Sequence, residues 1–326
     1  MMRNRRDVSD GRRAFTLVEM LVVIAIIGIL ASLAAWGVFA MINRSHSNNT
    51  QSTIKVVNKL MFVRWNQVNA ESKKEAPSPV AVLLANGPEG NLDPTGARAR
   101  VIMAKARLVE AFPMSYAEVT ASNIFITPPN LPKPYVAKYK STVAGMTGGG
   151  PGESAACLLM ALKTLQGDGG VAVEDQLKYA IALTDGINQI PTLQDSWGTP
   201  MAFFRFPWNN LSLLQANPAR AGAAAARFAD PIDTGGILLK MEWWGSKMTY
   251  PAAFPIVPWR NLTAKQVYET TFSTTIAVPG SNPPAANYTI PVVASGGPNK
   301  VMDLAADLSA GPLAADNIFS FQLKLD

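Results

Sequence analysis

The chain has 326 residues, 48% of them hydrophobic and 16% charged, enough for one large or two small domains around a real core. Half of its net charge of +6 sits in the first fourteen residues, where five arginines face two aspartates, so the nearly balanced remainder gives no argument for a nucleic-acid partner. One cysteine, Cys157, excludes an intramolecular disulfide, and with one histidine, His46, it excludes Cys/His zinc sites.

The first predicted element is an apolar run behind that basic leader. Phe15 to Ile42 is 28 residues with a single charge, Glu19. As a helix it would be about 42 Å long, longer than the roughly 30 Å hydrocarbon layer of a membrane. A secretory signal has a shorter apolar region, about 7–15 residues, with its small-residue cleavage site behind it. Here the small residue, Ala14, comes first, so cleavage after it would remove the leader and keep the helix. The leader arginines orient the helix with the leader cytoplasmic and the body outside. A carboxylate within a spanning helix costs about 2.5–3.5 kcal/mol on insertion scales and needs a partner. Cleavage after Ala14 creates one, the amino group of Phe15, four residues before Glu19 and on the same helix face. In a polymer, Glu19 of one subunit would pair with the Phe15 amine of its neighbour.

Ala14-Phe-Thr-Leu-Val-Glu19, followed by Met-Leu-Val-Val-Ile-Ala-Ile-Ile-Gly-Ile-Leu, resembles the prepilin cleavage and methylation motif shared by type IV pilins and type II secretion pseudopilins. The resemblance implies cleavage between Ala14 and Phe15 by a prepilin peptidase and N-methylation of Phe15. It also implies a Glu19–amine contact during assembly of a homo-oligomeric fibre. Further partners implied are other pseudopilins and an inner-membrane assembly platform. Ala14 stands where the family usually has Gly, and Trp36 where many members carry a helix-bending Pro; Gly28 and Gly37 are the residues here that would loosen the helix.

Residues 43–49 are polar and mark the exit from the membrane; His46 reads as solvated. Ile54, Val57, Met61, Trp65 and Val68 then form one helical stripe, and Pro77 and Pro79 stop the helix. The predicted organisation is thus a leader (1–14), a membrane or fibre-core helix (15–42), its amphipathic continuation (43–76) and a globular body (77–326). The fold class expected is α+β and pilin-like, a long N-terminal helix packed on an antiparallel sheet with inserted loops and helices.

Within the body, residues 77–100 read as a loop. Residues 97–111 read as a helix, with Arg98, Arg100, Lys105 and Arg107 on a solvated face. Residues 127–152, rich in Pro and Gly, read as a linker or surface loop. The Gly run there lacks the Gly-Lys-Ser/Thr ending of a phosphate loop, which excludes nucleotide binding. Residues 153–166 read as a buried helix with Cys157 as a small core residue.

Asp195-Ser-Trp197-Gly198-Thr-Pro200 is a turn leading into a strand at 201–206. It resembles the Asp-Pro-Trp-Gly-x-Pro-Tyr turn of major pseudopilins. Strand candidates follow at 236–245, 267–278, 288–294 and 317–325, the last with clean alternation of Phe319, Phe321, Leu323 and Leu325 against polar residues. The aromatic-rich pieces, Phe203 to Trp208, Trp243-Trp244 and Trp259, read as core rather than carbohydrate contacts. The stretch 308–320 resembles a shortened form of the pseudopilin calcium loop, with Ser309 and Asp316 fitting its pattern. Its internal Asp-Gly is replaced by Pro312 and Leu313. Calcium needs about 6–8 oxygens, so a metal-free loop is expected, with calcium at Ser309 and Asp316 the alternative. No catalytic constellation stands out. A fibre subunit without enzymatic activity is therefore the first functional expectation, and a signal-anchored binding protein or enzyme outside the cytoplasm the second.

Overall fold

The computed structural model describes residues 17–165, 173–177, 180–206, 231–233, 236–272, 291–302 and 316–320. The chain divides into two compact units, Met1–His46 and Ser47–Asp326. One helix, α1 (Leu17–Ser72), runs without interruption through 56 residues, across Gly28, Trp36 and Gly37. The predicted amphipathic stripe is the buried one: Ile54, Val57, Met61, Trp65 and Val68 all join the main core.

The Pro-rich stretch after α1 is helical, which corrects the loop expected over 77–100. Ser78 caps α2 (Pro79–Asn86) by accepting from the Ala81 N–H at 3.2 Å, and Pro79 occupies the first helical turn, where its missing N–H costs nothing. The prolines that end one helix therefore start the next. Gly87 closes α2 at φ +67°, where a Cβ would meet Leu92 at 3.0 Å.

Helix α3 (Ala97–Ala111) has the predicted bounds, but its basic face is largely turned inward. Arg98, Lys105 and Arg107 are buried, and Arg100 stays exposed. The reason is a surplus of acceptors in the core. Arg98 donates to the carbonyls of Ala85 (3.0 Å), Leu92 (2.7 Å) and Ile237 (3.3 Å) and lies over the Trp243 ring. Arg107 pairs with Glu75 (2.7 Å) and Glu110 (2.6 Å) and donates to the Leu131 carbonyl. Lys105 lies over the Tyr268 ring.

Helices α4 (Tyr116–Thr120) and α5 (Pro134–Thr142) follow. The second corrects the linker expected over 127–152, because Pro134 opens that helix rather than breaking it. Helix α6 (Glu153–Leu162) is buried along nearly all its length, as predicted, and packs on two strands of the body. Helix α7 (Val173–Gln176) is one turn.

The sheets are small and antiparallel. Strands β1 (Ile181–Ala182) and β2 (Thr192–Leu193) form a pair. Strands β3 (Ala202–Phe204), β4 (Val292–Ser295) and β5 (Ile318–Phe319) form a second sheet in that order, with Phe203 opposite Val293 and Ala294 opposite Phe319. The strand expectations at 201–206 and 288–294 thus locate two strands, and 317–325 a third over its described part.

Two strand expectations are wrong. Residues 236–245 form a 3₁₀ turn (Ile237–Leu239) and α8 (Met241–Trp244), begun by the Asp233 carboxylate accepting from the Ile237 and Leu238 N–H groups. Residues 267–272 belong to α9 (Ala264–Phe272); 273–278 lie outside the described residues. The Thr-rich composition suggests a strand, yet Ala264, Val267, Tyr268 and Phe272 are all buried at helical spacing. Thr263 and Gln266 start the helix with reciprocal side-chain bonds, Gln266 N–H to Thr263 Oγ1 and Thr263 N–H to Gln266 Oε1. Trp243, Trp259 and Phe203 are buried, so these aromatics are core.

Candidate functional site

The candidate site is the first half of α1. Every side chain from Leu17 to Ser45 is exposed in the single chain, and an 18-residue window there has mean hydropathy 2.7 with none of it buried. By length and composition this helix can cross a membrane. Leu, Ile and Val dominate it, and Ser32 hides its hydroxyl by donating to the Ile29 carbonyl at 2.7 Å. Glu19 lies in the first turn of α1 and is exposed. There its negative charge suits the unsatisfied N–H groups of the helix start. Ala14 and Phe15 lie outside the described residues.

The second predicted motif, Asp195 to Pro200, is a fastening. Asp195 is buried; its Oδ1 accepts from the N–H groups of Trp197 (3.0 Å) and Thr199 (2.9 Å), and its Oδ2 from the Ser295 hydroxyl at 2.7 Å. Gly198 takes φ +79°, the left-handed conformation this turn requires, and Gln194 bridges to Pro200 across it. The Ser196 N–H donates to Thr50 Oγ1 at 3.0 Å. The turn therefore joins the back half of α1 to β4.

Of the two predicted calcium-loop residues, Asp316 is among those described. Ser309 lies outside them, and Asp316 Oδ2 accepts from the Asn299 N–H at 3.1 Å. Among the described residues no group of three His, Cys, Asp or Glu side chains is placed to hold a metal ion. Cys157 is fully buried, and burial first, then the nearby Glu153 and Glu118 charges, push its thiol pKa up, away from nucleophilic use. His46 is half-buried rather than solvated.

Sequence reasoning missed two polar clusters. In one, Tyr116 donates its hydroxyl to Asp185 Oδ2 at 2.6 Å while its N–H donates to Glu153 Oε1. Asp185 also accepts from the Ile187 and Asn188 N–H groups, and Glu153 from the Gly149 N–H, so two loops are knotted onto α6. In the other, Arg205 forms a fork with Glu118, 2.8 and 3.0 Å long. Single charges separated by about ninety positions carry no local signal. The nearest hint was that Arg205 interrupts an aromatic strand.

Neither a curated protein nor a solved structure matches the chain. Residues 10–35 match the family model of the prokaryotic N-terminal methylation motif, the prepilin-type cleavage motif of pilin and pseudopilin proteins. With the exposed apolar helix directly behind it, this motif marks the chain as a pilin-like, membrane-associated substrate of a prepilin peptidase.

Proposed function

We propose that the protein is a structural subunit of a type IV pilus-like or type II secretion pseudopilus fibre. The observation that carries this reading is Glu19, the one charge between Phe15 and Ile42, in a stretch of α1 whose described side chains are exposed in the single chain. Peptidase cleavage between Ala14 and Phe15 leaves an amino group one helical turn from that carboxylate, and methylation follows on Phe15. The leader stays cytoplasmic, the helix crosses the inner membrane, and the body lies outside. During extraction by an inner-membrane platform, Glu19 pairs with the Phe15 amine of a neighbour, which offsets the cost of a charge in an apolar setting. The apolar flanks then pack helix against helix alongside other pseudopilins. The body performs no chemistry in this reading and needs no cofactor.

The test is the N-terminus of the protein recovered from its native membrane. Mass spectrometry should find a chain that begins at methylated Phe15. Recovery of an intact Met1 start in cells with active prepilin peptidase would sink the proposal. A Glu19→Ala variant should be cleaved normally yet enter sheared fibres at a tenth or less of the wild-type amount.

A further inference from the structure

The turn after β4 folds back against the start of β5. Gly297 takes φ +65°, and a Cβ there would lie 2.3 Å from the Asp316 carbonyl oxygen, so two stretches of backbone touch at this glycine. Its N–H donates to the Ser295 hydroxyl at 3.1 Å, and that hydroxyl donates to Asp195. The Asn299 N–H donates to Asp316 Oδ2, and Asn299 Oδ1 accepts from the Val301 N–H at 2.8 Å.

Asn317 sits at the mouth of this turn and is 8% exposed. One side of its amide faces two backbone oxygens, those of Gly296 and Val301, at the two ends of the turn. Converging carbonyl oxygens need a positive group between them, either a proton donor or a cation. With the amide nitrogen on that side, Asn317 donates to Gly296 O at 3.3 Å and to Val301 O at 3.1 Å, one bond from each hydrogen, and its oxygen turns towards donors. With the oxygen there instead, three acceptors would face one another with no proton among them.

Calcium, which the sequence resemblance implies for this region, fits these residues poorly. It takes about 6–8 oxygens. Asp316 Oδ2 and Asn299 Oδ1 are already bonded to N–H groups, and Asp316 Oδ1 is buried without a partner among the described residues. Two carbonyls and that one carboxylate oxygen are at most half of a calcium shell.

We propose that the Asn317 amide takes the place of a cation in this clasp. Its NH2 group ties Gly296 to Val301 and the whole turn to β5, so the loop closes without calcium. The chain of contacts from Thr50 on α1 through the Asp195 turn and Ser295 then ends in a metal-independent lock. The clasp is independent of the fibre reading.

The experiment is thermal unfolding of the full chain in detergent, first in chelator and then with calcium at about 10 mM, above the roughly 10⁻⁴–10⁻³ M dissociation constants of weak extracellular calcium sites. Sodium chloride at equal ionic strength is the control. The wild-type midpoint should agree within about 1 °C in all three. Asn317→Asp keeps the shape but puts an acceptor where the donor was, and should lose about 4–8 °C in chelator. Asn317→Ala removes the two bonds without adding a charge and should lose less. Calcium should restore Asn317→Asp and leave Asn317→Ala where it was. A saturating rise of the wild type with calcium overturns the proposal, and so does a loss in Asn317→Asp no greater than that in Asn317→Ala, which would mark a packing role. Calcium that leaves Asn317→Asp unchanged, or restores it no better than sodium chloride, overturns it as well. If Asn317→Asp does not fold in chelator, its refolding in calcium decides in the same way: folded protein supports the clasp, and none overturns it.

Discussion

Asp195 shows how one side chain organises a turn. Its two oxygens take three donors: two backbone N–H groups of its own turn and the Ser295 hydroxyl on β4. Asp195→Ala leaves all three without their acceptor, so we expect a loss of about 2–4 kcal/mol, read from the urea midpoint at unchanged slope. Glu118 makes a different prediction, about pH. Burial pulls its pKa up, but the Arg205 charge and fork, helped by the Met114 N–H, outweigh burial and hold it below the usual glutamate range. A carboxylate with a depressed folded pKa contributes stability above its unfolded pKa and loses it as pH falls through the folded one. Wild-type stability should therefore fall below about pH 4.5. In Arg205→Met, Glu118 keeps its burial without the opposing charge. That variant should be less stable at neutral pH, and its stability should rise, not fall, between pH 7 and 5. Equilibrium unfolding across that range checks the sign.

Among the elements, the short helices are the places where local sequence rules hold and composition misleads. Ser78 with Pro79 is a start signal for α2, and Thr263 with Gln266 is one for α9. Ser78→Ala and Thr263→Ala should each cost about 1 kcal/mol in thermal unfolding, with the fold unchanged by circular dichroism. Helix α6 is less forgiving: Leu158→Ala opens a cavity in a fully buried position and should cost about 2–5 kcal/mol. These elements also mark the limits of what is legible in the sequence. The stripe Ile54 to Val68 could be read because its burial follows one helical period, and α6 because its run is apolar on nearly every side. The helices at 79–86 and 134–142 were hidden by prolines that cap instead of break. The strand reading of 267–272 followed Thr and aromatic composition, while the buried set Ala264, Val267, Tyr268 and Phe272 was the better guide. The inward turn of Arg98 and Arg107 could not be foreseen, since their acceptors come from α2, the turn after α1 and the segment near Leu131.

At the scale of the molecule, the two units differ in kind. The described part of the first unit has no core of its own: its side chains are exposed from Leu17 to Ser45 and, apart from Glu19 and Ser32, apolar up to Ile42. The second holds a continuous core that begins at Ile54. A chain that starts at Ser47 should therefore stay monomeric without detergent in gel filtration and unfold within a few degrees of the full protein. The full protein should need detergent. The motif at residues 10–35 and the lone Glu19 were readable because a membrane leaves few tolerated sequences, and a charge there stands out. The polar clusters of the body, which join residues far apart in the chain, give no comparable signal.

The burial of Cys157 has a practical side. The chain carries this one thiol and no other, and it is sealed inside α6 with its ionisation suppressed. Maleimide should leave the native protein unmodified over hours and label it fully once it unfolds, so alkylation becomes a clock for global opening. A cysteine introduced at an exposed position, such as Val63, would be the sole reactive thiol. Any disulfide-linked dimer that it forms in membranes would then report directly which faces of neighbouring subunits meet.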